Sequence, residues 1–238
     1  MIMTATPKIH RPTATTLLAL AALAVIAGGC AKTVVRKDAA PVADTVQTAA
    51  AAATLDTVGG TFTDLRDGQI YRTVVIGRQR WMAENLNFVT DSSACYKNAD
   101  SNCTKYGRLY DWNTAMKACP AGWHLPSDEE WMALRDFVGG RDVAGTKLKS
   151  KTGWFRGKGH KAATDDYGFS ALPGGYGDSD GSFGNAGGNG YWWSAMELDA
   201  RRVWFRTMIY NDDYVNVYYN DKTLMFSLRC VRDFAAPQ

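Results

Sequence analysis

Ser127-Asp128-Glu129-Glu130-Trp131-Met132-Ala133-Leu134-Arg135-Asp136-Phe137-Val138-Gly139-Gly140 is the segment from which the fold of this 238-residue chain is read. The Ser127 hydroxyl can accept from the backbone at Glu130, and the Glu130 carboxylate can reach back to Ser127, which is a capping box. Trp131, Leu134 and Val138 then fall on one face of a helix, and Gly139-Gly140 stops it. A helix with a single apolar stripe must bury it against another layer. Towards the C-terminus, Trp154–Asn189 is glycine-rich and without regular periodicity, a loop of a length that a compact domain keeps only for function or internal packing. Strand-like runs follow at Tyr191–Ser194, Val203–Tyr210, Tyr214–Tyr219 and Met225–Val231. In the last, Phe226, Leu228 and Cys230 alternate with Ser227, Arg229 and Val231, the pattern of a half-buried strand. Towards the N-terminus, Asp111–Ala118 reads as a second short helix, and Gln69–Ile76 as a strand after an Asp67-Gly68 turn. The expectation is an α+β domain: two short helices, a long Gly-rich loop region and a twisted antiparallel sheet.

All 8 Trp, 11 Tyr and 9 Phe lie between Phe62 and Phe234, so the core belongs to one domain, set at residues 61–235. Roughly 175 residues suffice to bury about 70% of the unfolded surface. Residues 1–29 read as a signal peptide, with Lys8, His10 and Arg11 ahead of the apolar run Leu17–Ala27. That run is shorter than the roughly 20 residues of a membrane-spanning helix. Ala27-Gly28-Gly29-Cys30 resembles a lipobox, which makes Cys30 the lipidated N-terminus of the mature protein. Two or three acyl chains, palmitate among them, anchor a protein where one would not. Ala31 after the cysteine is similar to the outer-membrane sorting pattern. Residues 30–60, rich in Ala, Thr and Val, form a tether spanning on the order of 30 Å. The expected location is therefore the cell envelope, lipid-anchored at the outer membrane or cell surface. Without the leader, 25 basic residues face 24 acidic ones, and a near-neutral domain without a basic stripe is no nucleic-acid binder.

Cys95, Cys103, Cys119 and Cys230 remain, an even number in an exported chain, which reads as disulfides. Of three pairings, Cys95–Cys103 closes a short polar loop and leaves Cys119–Cys230 to join the first helix to the last strand. Zinc is disfavoured, because there is no CxxC pair and only His124 and His160 stand outside the leader.

Trp81-Met82-Ala83-Glu84-Asn85-Leu86-Asn87, Tyr106-Gly107-Arg108-Leu109-Tyr110 and Cys119-Pro120-Ala121-Gly122-Trp123-His124-Leu125-Pro126-Ser127 resemble the Fibrobacter succinogenes major paralogous domain (FISUMP). So do Thr164–Gly175 and the closing Ser227-Leu228-Arg229-Cys230-Val231-Arg232-Asp233. The resemblance runs from about Phe62 to Asp233. It implies an exported protein, often a lipoprotein, and brings no established activity. Leu125-Pro126-Ser127…Glu130-Trp131 and Leu228–Arg232 are also similar to sulfatase-modifying, formylglycine-generating domains, which have the C-type lectin-like fold. That fold joins its first helix to its last strand by a disulfide, in agreement with Cys119–Cys230.

An enzyme is not expected. The cysteines read as structural, and no Gly-x-Ser-x-Gly, His-Glu-x-x-His or phosphate-loop pattern occurs. His124, between Trp123 and Leu125, reads as a buried hydrogen-bonded histidine. Asp178-Ser179-Asp180-Gly181 places alternate oxygens before a turn, and Asn220-Asp221 invites comparison with calcium-dependent lectin sites, so Asp178, Asp180, Asn220 and Asp221 are the calcium candidates. Asn-Asp is equally a hairpin turn, and no other cofactor is expected. Sugar rings stack on flat aromatic faces, and Tyr191, Trp193, Tyr210, Tyr214 and Tyr218 are the ligand-binding candidates. The leading reading is a lectin-like binding or adhesion module for polysaccharide or cell-wall glycan. The alternatives are a structural envelope protein without a small ligand, or an enzyme related to formylglycine generation.

Overall fold

The computed structural model describes residues 59–233; Cys30, the leader and nearly all of the tether lie outside them. The elements are β1 (Gly60–Thr63), β2 (Ile70–Ile76), β3 (Gln79–Met82), β4 (Ser93–Ala94), α1 (Asp100–Tyr106), β5 (Leu109–Tyr110) and α2 (Trp112–Ala118). There follow α3 (Asp128–Phe137), α4 (Arg141–Leu148), β6 (Tyr176–Gly177), β7 (Phe183–Gly184), β8 (Asn189–Glu197), β9 (Arg202–Ile209), β10 (Asn216–Asp221), β11 (Phe226–Ser227) and β12 (Val231–Asp233). The α+β class holds, but the described residues contain four α-helices where the sequence suggested two.

The helix with the capping box forms as its sequence dictates. Glu130 N donates to Ser127 Oγ at 3.1 Å, and Ser127 N donates to Glu130 Oε2 at 2.8 Å. Trp131, Leu134 and Val138 are all buried, and Gly139 and Gly140 adopt positive φ to turn the chain into α4. Asp111 caps α2 by accepting from Thr114 N at 2.7 Å.

Two sheets carry the domain, with strand orders β1-β2-β3-β12 and β10-β9-β8-β11-β5-β4; β6 and β7 form a separate hairpin inside the Gly-rich region. All ladders are antiparallel except β11 with β8, where Ser227 faces Trp192. The centre of the larger sheet is buried on both faces. Trp192 and Trp193 are neighbours on β8 and so point to opposite sides. Trp193 joins Phe205, Phe226 and the α2 residues Trp112 and Ala115. Trp192 joins Met208 and the α3 and α4 residues Trp131, Leu134, Ala144 and Leu148. Each indole finds an acceptor: Trp192 Nε1 donates to Asn85 Oδ1 at 2.9 Å and Trp193 Nε1 to Tyr110 O at 2.7 Å.

Met225–Val231 corrects the single half-buried strand read from its alternation. It splits into β11 in one sheet and β12 in the other, and every side chain from Phe226 to Val231 is buried. Crossing between sheets gives this segment no solvent face. Both disulfides are present, Cys95–Cys103 with Cα atoms 4.9 Å apart and Cys119–Cys230 with 5.9 Å. The second ties the residue after α2, which is the second helix and not the first as expected because α1 forms ahead of it, to the crossing segment just before the last strand.

At the crossing lies a buried guanidinium. Arg229, 1% exposed, donates through Nε and Nη2 to Asn85 Oδ1 at 3.2 and 2.9 Å, and through Nη1 to Phe169 O. Its guanidinium carbon lies 4.3 Å from the centre of the Phe169 ring. Burial lowers it to about 9, which leaves it protonated at neutral pH. Asn85 Nδ2 donates onward to Tyr106 O at 2.8 Å and Ser227 Oγ at 3.3 Å, so one amide links the larger sheet, the crossing segment and the end of α1.

Candidate functional site

The loop after α4 raises an exposed aromatic surface. Trp154 turns inward, its Nε1 donating to Ala171 O at 3.1 Å, and this anchors the loop. Its neighbour Phe155 is 57% exposed, with its backbone N held by Gly187 O at 2.6 Å. Phe155 meets Tyr210 edge to face, ring centres 5.2 Å apart. Tyr210 N donates to Gly188 O at 2.9 Å, so both rings stand on the same strip of glycine backbone. Gly157 passes beneath Phe155 so closely that a Cβ there would come within 2.1 Å of the ring.

Together these residues line an open groove of about 500 Å³, completed by Lys105, Tyr106, Gly153, Asn185 and Asn189. The two amides are fixed from below: the Tyr191 hydroxyl accepts from Asn185 Nδ2 at 2.8 Å and from Asn189 Nδ2 at 2.7 Å. Burial raises the Tyr191 phenol, against the lowering effect of the two amide donors, so it stays neutral across the physiological range. A second cleft of about 280 Å³ adjoins at Lys105 and Tyr106 and is lined by Arg72, Glu84, Asn85 and Asn87. Flat aromatic faces beside immobilised amides and bare backbone can accept a pyranose ring, whose C–H face is apolar and whose hydroxyls need fixed partners.

The candidates named from sequence fall unequally around this groove. Tyr210 lines it directly. Tyr191 lies under it, half-buried and stacked on Phe226 with ring centres 5.2 Å apart. Trp193 is 0% exposed and cannot present a face to a ligand; the sheet centre is covered on both sides. Tyr218 is half-buried against Phe205 on the opposite side of the sheet from α4. Tyr214, 37% exposed, lies outside the groove with Arg141 5.2 Å from its ring centre. The missed residues are Phe155, Lys105, Asn185 and Asn189. The signal for them was the Trp154-Phe155 pair in a glycine-rich loop, a place where aromatics are not needed for a regular core.

The oxygen-rich turns are internally satisfied. Asp178 Oδ1 accepts from Ser179 N at 2.7 Å and Asp180 Oδ1 from Ser182 N at 2.8 Å, which shapes the turn between β6 and β7. Asp221 accepts from Thr223 N at 3.1 Å and from Arg201 at 2.9 Å, while Asn220 Oδ1 accepts from Asp221 N. Thr223 and Arg201 accordingly hold the Asp221 carboxyl below the usual range. Among the described residues no three His, Cys, Asp or Glu side chains gather as a metal would require. The Asn211-Asp212-Asp213 turn is likewise spent, on α4. Asp213 accepts from Thr146 Oγ1 at 2.7 Å and pairs with Lys161 at 3.1 Å, and the buried Lys149 Nζ donates to Ile209 O and Asp212 O. Burial lowers the Lys149 ammonium against the pull of Asp213 and Asp212. His124, expected in the interior, has a side chain 49% exposed and bonds Glu130 Oε1 at 2.6 Å.

These features define a class: an α+β domain closed by two disulfides, with an aromatic groove on a glycine-rich loop. The chain belongs to the Fibrobacter succinogenes major domain family, which matches residues 74–232; β1 and the first half of β2 precede the match. No curated protein and no solved structure matches it.

Proposed function

We propose that this protein is a lipid-anchored envelope protein whose domain is a non-catalytic, lectin-like module for polysaccharide or cell-wall glycan. The observation that carries the reading is the exposed Phe155 ring set against Tyr210 over a glycine floor, with Asn185 and Asn189 held in place by Tyr191. The C-type lectin-like comparison is supported by the Cys119–Cys230 bond between a helix end and the crossing segment. Anchorage at Cys30 rests on the lipobox-like leader alone.

Binding by one or two rings is weak, because drug-sized ligands gain about 0.3 kcal/mol per heavy atom. The test is retention of the full-length protein on cellulose, xylan, peptidoglycan and acidic plant polysaccharide, with and without calcium. Phe155→Ala with Tyr210→Ala should abolish retention at an unchanged melting temperature. Absence of retention on every polymer refutes the glycan reading and leaves a structural envelope role. Cys30→Ser should release the protein from detergent-partitioning membranes; equal partitioning of both forms refutes the anchor.

A further inference from the structure

The groove carries a charge pattern that a neutral glycan would not require. Between Asp142 and Asp165 the chain has six basic residues and no acidic one, in a domain whose overall charge is nearly balanced. This stretch runs through α4 and the loop that raises Phe155, then returns against the groove, where Lys161 N donates to Tyr210 O at 2.9 Å. Three of its cations are committed: Lys149 to backbone carbonyls, Lys161 to Asp213, and Arg156, whose Nη2 donates to Lys151 O at 3.3 Å. Lys158, next to the Gly157 that passes beneath the Phe155 ring, is exposed, and no described carboxylate pairs with it. Lys105, at the end of α1, is exposed on the other wall, its Nζ 4.7 Å from the Tyr106 ring centre and likewise without an acidic partner among the described residues.

The residues lining the groove include no Asp or Glu, and the one carboxylate of the adjoining cleft, Glu84, is engaged by Arg72 at 3.2 Å. Lys105 on one wall and Lys158 in the loop beside the Phe155 ring, with no carboxylate among the lining residues, form a local positive potential that acts within roughly 10 Å at 0.1 M salt. A hexuronate residue matches both parts: its C–H face fits the Phe155 and Tyr210 rings, and its carboxylate fits the cations at the rim. We propose that the groove binds an acidic polysaccharide built of uronic-acid residues. This rests on the glycan-binding reading above and specifies its ligand. The fixed amides of Asn185 and Asn189 favour a hydroxyl-rich ligand over a nucleic-acid strand, which the balanced overall charge would attract poorly.

The test is affinity electrophoresis of the full-length protein in detergent through gels containing polygalacturonate, alginate, fully methyl-esterified polygalacturonate, xylan or single-stranded DNA. Retention is expected on a free polyuronate and should fall at least tenfold at 0.5 M NaCl. The methyl ester, with the same backbone and no charge, should hold the protein at least tenfold more weakly. Lys105→Gln with Lys158→Gln should lose about tenfold on the polyuronate while the melting temperature stays at the wild-type value. Equal retention on the free acid and its ester, or retention on xylan alone, overturns the charge assignment and leaves a neutral-glycan module standing. Equal retention on DNA overturns it in favour of a general polyanion patch. No retention on any polymer overturns the glycan reading itself, and this proposal with it.

Discussion

Replacing Cys119 and Cys230 together by alanine removes as many sulfur atoms as the paired exchange at Cys95 and Cys103, yet the consequences should differ. The bonds close loops with sequence separations of 111 and 8 residues. In the chain-entropy account, holding those loops shut in the unfolded chain contributes about 4.8 and about 2.6 kcal/mol respectively at 25 °C. At roughly 2–4 °C per kcal/mol for a domain of this size, the long-loop variant should melt about 5–9 °C below the short-loop one. Because the effect lies in the unfolded state, the long-loop variant should also show a steeper dependence of stability on urea, its unfolded chain being more expanded. Urea unfolding followed by tryptophan fluorescence, without reductant, gives both quantities. Equal midpoints for the two variants would refute the reasoning, and so would an unchanged slope for the long-loop variant.

Ser127→Ala deletes the acceptor of the Glu130 amide and should cost about 1 kcal/mol in urea unfolding, with Ser127→Asn restoring most of it. Asp64 is buried and accepts from Arg66 at 2.6–3.2 Å, and that bond holds its carboxyl below 3.8. Its folded value is depressed, so its contribution is present above the unfolded value near 3.8 and is lost as pH falls through the lower folded one. Wild-type stability should therefore drop more steeply below about pH 4 than that of Asp64→Asn, and parallel acid limbs in urea titrations would contradict this. Asn85→Ala takes away the acceptor shared by Arg229 and Trp192 and leaves a buried cation under-compensated, at a cost of about 3–5 kcal/mol. A loss below about 1 kcal/mol would show that water or neighbouring carbonyls replace the amide.

What could be read in advance was local. The Ser127–Glu130 capping box, the short helix at Asp111–Ala118 and the β-branched run of β2 are decided by residues within a few positions of each other. α1 and α4 are not. α1 has no side-chain cap and buries only Cys103 and Tyr106, so its stripe is too short to register as a period. α4 carries Gly145 in its interior, a poor helix former. Its presence follows from tertiary contact: Gly145 N and Thr146 Oγ1 both donate to Asp213, and a Cβ at Gly145 would lie 2.4 Å from the Tyr214 carbonyl. The aromatic candidates failed for a related reason. Alternation along β8 correctly separates Trp192 from Trp193, but it does not say that helices cover both faces. Phe155 was hidden because, beside Trp154 in an aperiodic loop, nothing in the order of residues says which ring turns outward.

The crossing segment has a consequence for how the protein is made. β11 is the strand that joins β8 to β5, and β12 completes the smaller sheet against β3. The Asn85–Arg229 bonds at the crossing between them span 144 positions. A polypeptide emerging from the ribosome N-terminus first therefore has neither sheet complete until residues 226–233 are free. Contacts so remote in sequence form late and slowly. A nascent chain stalled anywhere before Phe226 lacks the strand between two halves of one sheet, the edge of the other and the long disulfide at once, and should be digested by protease as an open chain.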